Sequence, residues 1–275
     1  MESAPEKCPL CSSTRREFLI KKDNWTVFRC PECGLGVLDP RPSEDEIDQL
    51  YREQYFSDQY HDGIGIESPQ FRKVLRNESH RTRFIKSKKR SGRLLDIGCG
   101  YGYFAAACRE MGYDVQGIDV SEWAAQHAVN RLDIPVSIGK INEIELTPHS
   151  FDIITMWHFL EHAPDPHLVL QKVKTWLKKD GILVIDVPNY QGTDAQREWQ
   201  DWVGWQLPYH FWHFNIGSLC RLLDQHGYHI IKKKDYHSEV IKNRLKRIPF
   251  IGLFGRIIAK MYSGTSVAVI AKQTK

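Results

Sequence analysis

Three glycines and an aspartate within seven residues constrain the fold of this chain more than any other feature. The run is Asp96-Ile97-Gly98-Cys99-Gly100-Tyr101-Gly102, with the apolar pair Leu94-Leu95 before it and a helix-forming run, Phe104 to Met111, after it. This pattern predicts a strand, a tight turn and a helix. Glycine has no Cβ and accepts positive φ, so a ligand can approach the backbone of such a turn closely. The free N–H groups of the following helix favour an anionic part of that ligand.

The residues after the turn narrow the choice of ligand. A dinucleotide-binding turn would need a third glycine at position 103, where this chain has Tyr103. The run from Tyr113 to Ile118 predicts a second strand, and Asp119 follows it directly. A carboxylate about 20 residues past the turn is placed to accept two ribose hydroxyls. Ser121 is a suitable N-cap for the helix that comes next.

The glycine turn, Asp119 and the order of the later strands together resemble the class I S-adenosylmethionine-dependent methyltransferases. Further strands are predicted at 151–156, 181–187 and 266–271. The resemblance implies an α/β fold with a Rossmann-like seven-stranded sheet. It also implies S-adenosylmethionine as the cofactor, with contacts from Asp96, Gly98, Gly100, Gly102, Asp119, Val120 and Trp157. The alternative is that the glycines form only a strand-to-helix turn.

Two further cofactor contacts follow from the same resemblance. Many family members carry an acidic residue after the third strand that contacts the adenine, whereas this chain has Gly139-Lys140-Ile141-Asn142-Glu143. Asn142 is the candidate for the adenine edge, and the alternative is that the backbone alone makes this contact. Tyr55-Phe56 matches a pair that closes over the cofactor in zinc-ribbon methyltransferases, and the alternative is that it packs the connector on the core.

Four cysteines near the amino end form two C-x2-C pairs separated by eighteen residues, Cys8 with Cys11 and Cys30 with Cys33. Each pair can place two thiolates on one tetrahedral metal, so the spacing predicts a structural zinc site with no open position. The runs 18–20 and 26–29 between the pairs predict a hairpin, as in a zinc ribbon. About forty residues bury too little apolar surface to fold alone, so the metal would supply folding free energy. Disulfides and a redox pair are the alternatives, but the amino end lacks a secretory signal and a redox pair needs no second copy.

Length and composition agree with a Rossmann-like domain and one small appendage in 275 residues. We divide the chain into a zinc ribbon at 1–40, a helical connector at 41–83 and a methyltransferase domain at 84–275, which includes an aromatic substrate-side insertion at 187–215. Hydrophobic residues make up 41% of the chain, yet no apolar run is long enough to span a bilayer. The net charge of +4 comes with no sustained basic tract, so we do not expect nucleic acid as a partner. We expect a cytoplasmic protein that acts on a small molecule. The sequence gives no signal for an oligomeric state.

The candidate catalytic residues follow the strand at 151–156. Trp157-His158-Phe159-Leu160-Glu161-His162 lies where open α/β sheets place their ligands, and the run to Pro166 looks like the post-strand motif of methyltransferases acting on quinones, sugars and other small molecules. A hydroxyl acceptor must lose a proton as it attacks the methyl group, and imidazole suits this at neutral pH. His162 and His158 are the leading bases, and Glu161 would orient a histidine or balance its charge. The alternative is that Glu161 and His162 begin and cap the next helix.

The resemblance also raises the question of a second metal. Some quinone O-methyltransferases with this motif bind a divalent ion through its acidic and histidine residues. This chain has His158 where those enzymes have a carboxylate. The sequence therefore does not decide whether a divalent metal binds at this place.

The insertion holds four of the eight tryptophans within fourteen residues, at Trp199, Trp202, Trp205 and Trp212. They interleave with Pro208 to Phe214, which resembles a segment that the family places over the substrate cleft. Flat aromatic faces and imidazoles suit a sugar ring or a planar acceptor. His210 and His213 are therefore substrate-side candidates, and His210 is a rival for the base. The alternative is that the W-x-x-W-x-x-W spacing packs one helical face into the core.

Three functions fit the sequence. The first is a small-molecule O-methyltransferase that acts on a sugar or a related metabolite. The second is an RNA methyltransferase whose ribbon holds nucleic acid through basic residues, namely Arg15, Arg16, Lys21, Lys22 and Arg29. The third is a non-catalytic module that keeps the cofactor fold while the ribbon docks a partner. The first is the prediction that we carry forward.

Overall fold

The computed structural model describes residues 6–43, 46–47, 63–246, 248 and 255–274. By its internal contacts the chain forms two compact units. The first unit comprises the described parts of Met1–Ser43, Leu160–Pro164 and Asp186–Val269. The second comprises the described parts of Glu44–Phe159, Asp165–Ile185 and Ile270–Lys275.

A seven-stranded sheet with helices around it forms the larger part of the fold. Its elements are, in chain order, α1 (Phe71–Asn77), α2 (Ser79–Lys86), β4 (Arg93–Ile97), α3 (Tyr103–Glu110), β5 (Asp114–Asp119), α4 (Glu122–Leu132), β6 (Val136–Ile138), β7 (Phe151–Trp157), α5 (Pro166–Trp176), β8 (Leu177–Pro188), α6 (Thr193–Glu198), α7 (Ile216–Gln225), β10 (Tyr228–His237), α8 (Glu239–Lys246), α9 (Gly255–Ala259) and β11 (Ser263–Gln273). The strand order is β10-β11-β8-β7-β4-β5-β6. The predicted α/β fold with a Rossmann-like seven-stranded sheet is confirmed.

The central strands explain why this sheet forms. β4 pairs in parallel with β5 on one side and with β7 on the other, so the direction of winding reverses between β4 and β7. Such a reversal opens a crevice at the carboxyl ends of the two strands. Central parallel strands are covered on both faces and carry continuous apolar runs. In this sheet the fully buried residues include Leu94, Leu95, Ile97, Ile153, Ile154 and Met156.

The predicted strands differ from the observed ones mainly at their ends. β8 begins at Leu177, four residues before the predicted start at Gly181. Lys178 in this extension donates to Asp152 of β7, with 2.8 Å between Nζ and Oδ2. An ion pair between neighbouring strands leaves no trace in local hydrophobicity, so the prediction missed the polar start of the strand.

A second, four-stranded sheet lies entirely in the first unit. Its strands are β1 (Glu17–Lys22), β2 (Trp25–Arg29), β3 (Gly36–Asp39) and β9 (Trp212–His213), in the order β1-β2-β3-β9. β1 and β2 form the predicted hairpin, with Phe18 opposite Phe28. β9 comes from the aromatic insertion and pairs antiparallel with β3, which the sequence analysis did not anticipate.

Within the described ranges, no helix is long and apolar enough to cross a membrane.

Candidate functional site

The glycine turn between β4 and α3 has the backbone that its sequence predicts. Gly98, Gly100 and Gly102 have φ values of +73°, +52° and +79°, all in the left-handed region that favours glycine. A Cβ at position 98 would lie 2.6 Å from Cδ2 of Phe159, and a Cβ at position 102 would lie 2.9 Å from Cβ of Ala128. The turn therefore leaves bare backbone where no other residue fits without displacing its neighbours.

Asp119 braces this turn from the end of β5. Its Oδ2 accepts the backbone N–H of Gly100 at 2.7 Å, and its Oδ1 accepts the backbone N–H of Ser121 at 2.9 Å. The side chain is buried, and burial raises the pKa of the Asp119 carboxyl. Ser121 in turn caps α4 by accepting the N–H of Ala124, as the sequence predicts. Asp119 thus joins the glycine turn to the start of α4, a structural role that sequence reasoning did not assign to it.

Asp96 lies at the end of β4, just before the turn. Its Oδ1 accepts the hydroxyl of Thr155 on β7 at 2.7 Å. Burial raises the pKa of Asp96 to about 7, against the lowering effects of the Thr155 hydrogen bond and the Arg81 guanidinium. The buried carboxyl group therefore changes its charge near neutral pH. A cationic ligand group beside it would favour the ionised form.

The remaining predicted cofactor contacts lie in varied surroundings. Trp157 is buried at the end of β7, with the Arg81 guanidinium 5.0 Å from its ring centroid and Phe104 edge-on at 5.2 Å. Val120 is 47% exposed, and Asn142 is exposed in a turn beyond β6. Tyr55, with Phe56, lies outside the described residues.

An aromatic cluster at the glycine turn escaped sequence analysis. Tyr101 stacks on His127 with 4.4 Å between ring centroids, and Trp123 packs on Tyr101 at 5.1 Å. The Tyr103 hydroxyl oxygen accepts the backbone N–H of Ile64 at 2.5 Å. The available signal was Tyr101 inside the turn and Tyr103 at the start of α3, together with Trp123 and His127, which are four residues apart on α4. The cluster fastens the segment before α1 to the helices that follow the turn.

Glu161, His162 and His210 come together in the first unit. Their potential ligand atoms all lie within 4.8 Å of one another, and the rings of His162 and His210 meet edge to face at 4.5 Å. Glu161 and His210 are buried, and His162 is half-buried. These three residues could share a proton or hold a metal ion, because a carboxylate oxygen and two imidazole nitrogens lie close together.

Backbone carbonyls determine which tautomer His162 and His210 adopt when neutral. Nδ1 of His162 lies 3.1 Å from the carbonyl oxygen of Tyr209, and Nδ1 of His210 lies 2.9 Å from that of Gly204. A carbonyl oxygen only accepts, so both Nδ1 atoms must donate. In the neutral rings Nε2 therefore carries the lone pair, which is the atom that takes up a proton or binds a metal.

The alternative interpretation of Glu161 and His162 as the cap of the next helix is wrong. They lie in a short 3₁₀ turn, Leu160–His162, and α5 begins only at Pro166. Asp165 caps α5, because its side chain accepts the N–H groups of His167 and Leu168. His158 is exposed and has φ of +53°, a strained value for a residue with a Cβ, and it does not belong to the cluster of three.

The tryptophan repeat does not form the helical face that was the alternative to a substrate role. A 3₁₀ turn covers Trp199–Asp201, and the chain is irregular from 202 to 211, where Gly204 and Pro208 interrupt any helix. Trp202, Trp205 and Trp212 are nevertheless buried, as that alternative expects of core residues. They are therefore not open faces for stacking.

His213 is also enclosed, with 3% of its surface exposed. Burial, followed by the charge of His210, holds the pKa of His213 well below its usual range. Trp205 packs against the ring at 5.3 Å. His213 is therefore a neutral, enclosed side chain within the insertion at ordinary pH.

The four amino-terminal cysteines converge as their spacing predicts. Sγ of Cys8 lies 3.5 Å from that of Cys33, Sγ of Cys11 lies 3.4 Å from that of Cys30, and all four lie within 4.8 Å. A tetrahedral zinc ion with Zn–S bonds of about 2.3 Å would place its sulfur ligands about 3.8 Å apart. All four are free thiols, and the hydrogen bond with Cys33 lowers the pKa of Cys8 to about 5.

The two cysteine pairs lie on equivalent backbone loops. The N–H of Ser12 donates to the carbonyl of Cys8, and the N–H of Gly34 donates to that of Cys30, both at 2.8 Å. Ser12 and Gly34 both have positive φ. Two matching loops that present four thiols to one point fit a tetrahedral thiolate metal site.

Comparison with known proteins gives one family and a consistent fold. The methyltransferase domain family matches residues 70–233. Ubiquinone biosynthesis O-methyltransferases of Haemophilus ducreyi and Neisseria meningitidis are 37% and 33% identical over 107 and 108 residues, which are 35% and 36% of this chain and 45% of each relative. The chain thus spans less than half the length of these curated relatives.

Solved structures resemble the chain at low sequence identity. A SAM-dependent methyltransferase from Archaeoglobus fulgidus has a TM-score of 0.58 at 20% identity, covering 80% of this chain and 99% of that protein. Magnesium protoporphyrin IX methyltransferase from Synechocystis, solved with bound SAH, also has a TM-score of 0.58, at 12% identity, covering 84% of this chain and all of that protein. At these identities the likeness shows the fold alone.

Asp119→Asn should destabilise the protein even without any ligand. The carboxamide has one oxygen for two backbone N–H groups, so one buried donor at Gly100 or Ser121 loses its acceptor. We expect a loss of about 1–3 kcal/mol in the free energy of unfolding, measured by chemical denaturation. Asp114→Asn, at the exposed start of β5, is the matched control and should change stability by less than about 0.5 kcal/mol. Equal stability of the Asp119 variant and the wild type would show that the carboxylate does not brace the turn.

Proposed function

The chain belongs to the methyltransferase domain family, and on this basis we propose that it transfers a methyl group from S-adenosylmethionine to a hydroxyl group of a small molecule. The observation that carries the proposal is the glycine turn with its three left-handed glycines. Buried Asp96 precedes this turn, and buried Asp119 contacts it from the end of β5. The ubiquinone-pathway relatives, named for O-methylation, support the choice of oxygen as the acceptor atom.

The residues of the turn fit the chemical groups of S-adenosylmethionine. Asp119 uses one lone pair of each oxygen on backbone N–H groups and keeps others for the two ribose hydroxyls. Asp96 would balance the ammonium group of the methionine part. The bare backbone of Gly98, Gly100 and Gly102 permits close approach, and we propose Val120, Trp157, Asn142 and Tyr55 as further contacts. When bound, the cofactor supplies a methyl group on a sulfonium that leaves readily.

The histidines would remove the proton of the acceptor hydroxyl. Hydrogen bonds to carbonyls leave Nε2 of His162 and of His210 as proton acceptors. Glu161, buried beside both rings, would stabilise the imidazolium that forms. We propose His162 as the base because it is the more accessible of the two, with His210 and the exposed His158 as rivals. Such a base contributes about 10²–10⁴-fold, and alignment of the reacting groups about 7–11 kcal/mol.

The acceptor that we propose is a hydroxylated small molecule, with a sugar or related metabolite as the predicted class. Three of the four indoles, those of Trp202, Trp205 and Trp212, are buried and do not offer a face on which an acceptor could stack. Trp199 and Tyr209, both half-buried in the insertion, are the aromatic rings left to face an acceptor. The sugar prediction therefore depends on these two side chains.

A structural zinc ion held by Cys8, Cys11, Cys30 and Cys33 completes the proposal. The convergence of four thiols on two equivalent loops supports it. Four thiolates fill a tetrahedral zinc, so this ion would stabilise the fold and take no part in the reaction.

RNA methylation is a weaker alternative because acidic residues already neutralise the ribbon arginines. Arg15 pairs with Glu32 at 2.6 Å, Arg16 with Asp39 at 2.8 Å and Arg29 with Glu17 at 2.7 Å. Ion pairs of this kind reduce the positive potential that a phosphate backbone needs. A non-catalytic binding module is the third possibility, and any methyl transfer by the purified protein would exclude it.

His162→Ala should slow methyl transfer strongly without weakening cofactor binding. Turnover is measured with isotopically labelled S-adenosylmethionine and a metabolite extract, with the product identified by mass, and cofactor affinity by calorimetry. We expect the rate to fall about 10²–10⁴-fold while affinity stays within a factor of two. His149→Ala is the matched control, since His149 also donates from Nδ1 to a carbonyl, that of Leu177, and lies in the second unit. Unchanged turnover would remove His162 as the base and direct attention to His210 and His158.

Cofactor binding should weaken as the pH falls through about 7. The pKa of Asp96 is raised to about 7, and the ammonium of the ligand needs the ionised carboxylate. Below this pH each binding event releases a proton, so affinity for S-adenosylhomocysteine should fall up to about tenfold per pH unit and level off above it. Calorimetry in buffers with different ionisation enthalpies measures both the affinity and the proton release. Asp96→Asn should lack this pH dependence, and a wild-type affinity independent of pH would contradict the assigned role.

A further inference from the structure

The cysteine ribbon shares a strand pairing with the segment that carries the histidines. β3 lies between β2 on one edge and β9 on the other, with Gly36 opposite His213 and Val37 opposite Trp212. The N–H of Leu38 donates to the carbonyl of Phe211 at 3.0 Å, which extends the pairing by one residue. The last strand of the ribbon thus holds the backbone immediately after His210.

The second cysteine loop is fastened to both ends of the insertion. The carbonyl oxygen of Gly34, next to Cys33, accepts the hydroxyl of Tyr190 at 2.6 Å and the side-chain amide of Asn215 at 3.1 Å. Tyr190 lies just after β8, and Asn215 caps α7. One carbonyl of the proposed metal-binding loop therefore connects residues 25 positions apart that bracket the insertion.

The opposite edge of this histidine-bearing segment contacts the turn that contains Glu161. The N–H of Phe211 donates to the carbonyl of Glu161 at 2.9 Å, and Nε1 of Trp212 donates to the carbonyl of Ala163 at 2.6 Å. Phe211 thus gives its carbonyl to β3 and its N–H to Glu161. A displacement of β3 would move the backbone beside His210 relative to Glu161 and His162.

The fit between β3 and β9 leaves no room for a side chain at position 36. A Cβ at position 36 would lie 2.8 Å from Cβ of His213 and 3.3 Å from its carbonyl oxygen. Such approaches are closer than packed side chains permit. Gly36 therefore allows β3 to lie directly against His213, and a larger residue there would push β9 away.

From these contacts we propose that the ribbon positions the histidine cluster: β3, held by the metal-bound cysteine loops, sets the place of His210 against Glu161 and His162. For its effect on turnover this proposal rests on the proposed function. A ribbon of about forty residues depends on its metal to fold. Zinc would then control the geometry of the cluster from a site where it touches no reacting atom. Displacements of about 1 Å can cost about 100-fold in rate.

Gly36→Val tests the proposal without altering a thiolate. Four quantities are measured on the zinc-loaded protein. They are metal content by mass spectrometry, affinity for S-adenosylhomocysteine, the imidazole nitrogen resonances of His210 by NMR, and turnover. We expect one zinc ion and unchanged affinity, but displaced His210 resonances and turnover at least about tenfold lower. Lys21→Val is the matched control, because it places the same side chain on β1, the strand at the far edge of the ribbon sheet, where Lys21 is exposed. It should leave all four measurements unchanged.

Tyr190→Phe and zinc removal keep the proposal testable if the valine variant fails to fold. Tyr190→Phe deletes only the hydroxyl that binds the Gly34 carbonyl and should displace the His210 resonances in the same direction. A thiol-competing chelator, added to the wild type, should do so more strongly while affinity for S-adenosylhomocysteine persists. Unchanged His210 resonances after zinc removal would overturn the proposal. Absence of methyl transfer by the wild type would instead count against the proposed function, since the resonances report the coupling by themselves.

Discussion

The conformation of the glycine turn depends on two hydrogen bonds of the Asp119 carboxylate. This carboxylate accepts the N–H groups of Gly100 and Ser121 and so joins the turn after β4 to the start of α4. Three left-handed glycines alone would leave this loop with many conformations, because glycine loses more backbone entropy on ordering than any other residue. Two hydrogen bonds to one buried carboxylate select a single conformation. In the proposed function the same carboxylate would also accept the ribose hydroxyls, so one group would brace the turn and bind the ligand.

The residues that we propose for cofactor and acceptor chemistry are divided between the two units. The glycine turn, Asp96 and Asp119 belong to the second unit, whereas Glu161, His162 and His210 belong to the first, together with the four cysteines. β7 ends at Trp157, and only three residues of chain separate it from Glu161. The cysteines and these histidines are distant in sequence, yet they lie in the same compact unit.

Local sequence signals were sufficient for much of the fold and for part of the site. The hairpin of β1 and β2, the cap at Ser121 and the convergence of the cysteines each follow from residues close together in the chain. Two alternatives that the local sequence left open fail for a common reason. The spacing of the tryptophans also allowed a helical face, but Gly204 and Pro208 interrupt it. Glu161 and His162 could also have capped the next helix, but Asp165 accepts its free N–H groups instead. Periodicity and proximity do not decide between rival local structures.

By itself, the sequence determined the glycine turn, the parallel strands around it and the two pairs of thiols, because the backbone conformation of the turn, the burial of the strands and the spacing of the cysteines are all local patterns. Tertiary structure alone decided that β3 pairs with β9 and that His210 joins Glu161 and His162. It also decided that Asp96 changes charge near neutral pH, since burial sets its pKa. Pairings across more than 170 residues leave no local pattern, because either strand could satisfy its hydrogen bonds with many partners until the whole chain is packed.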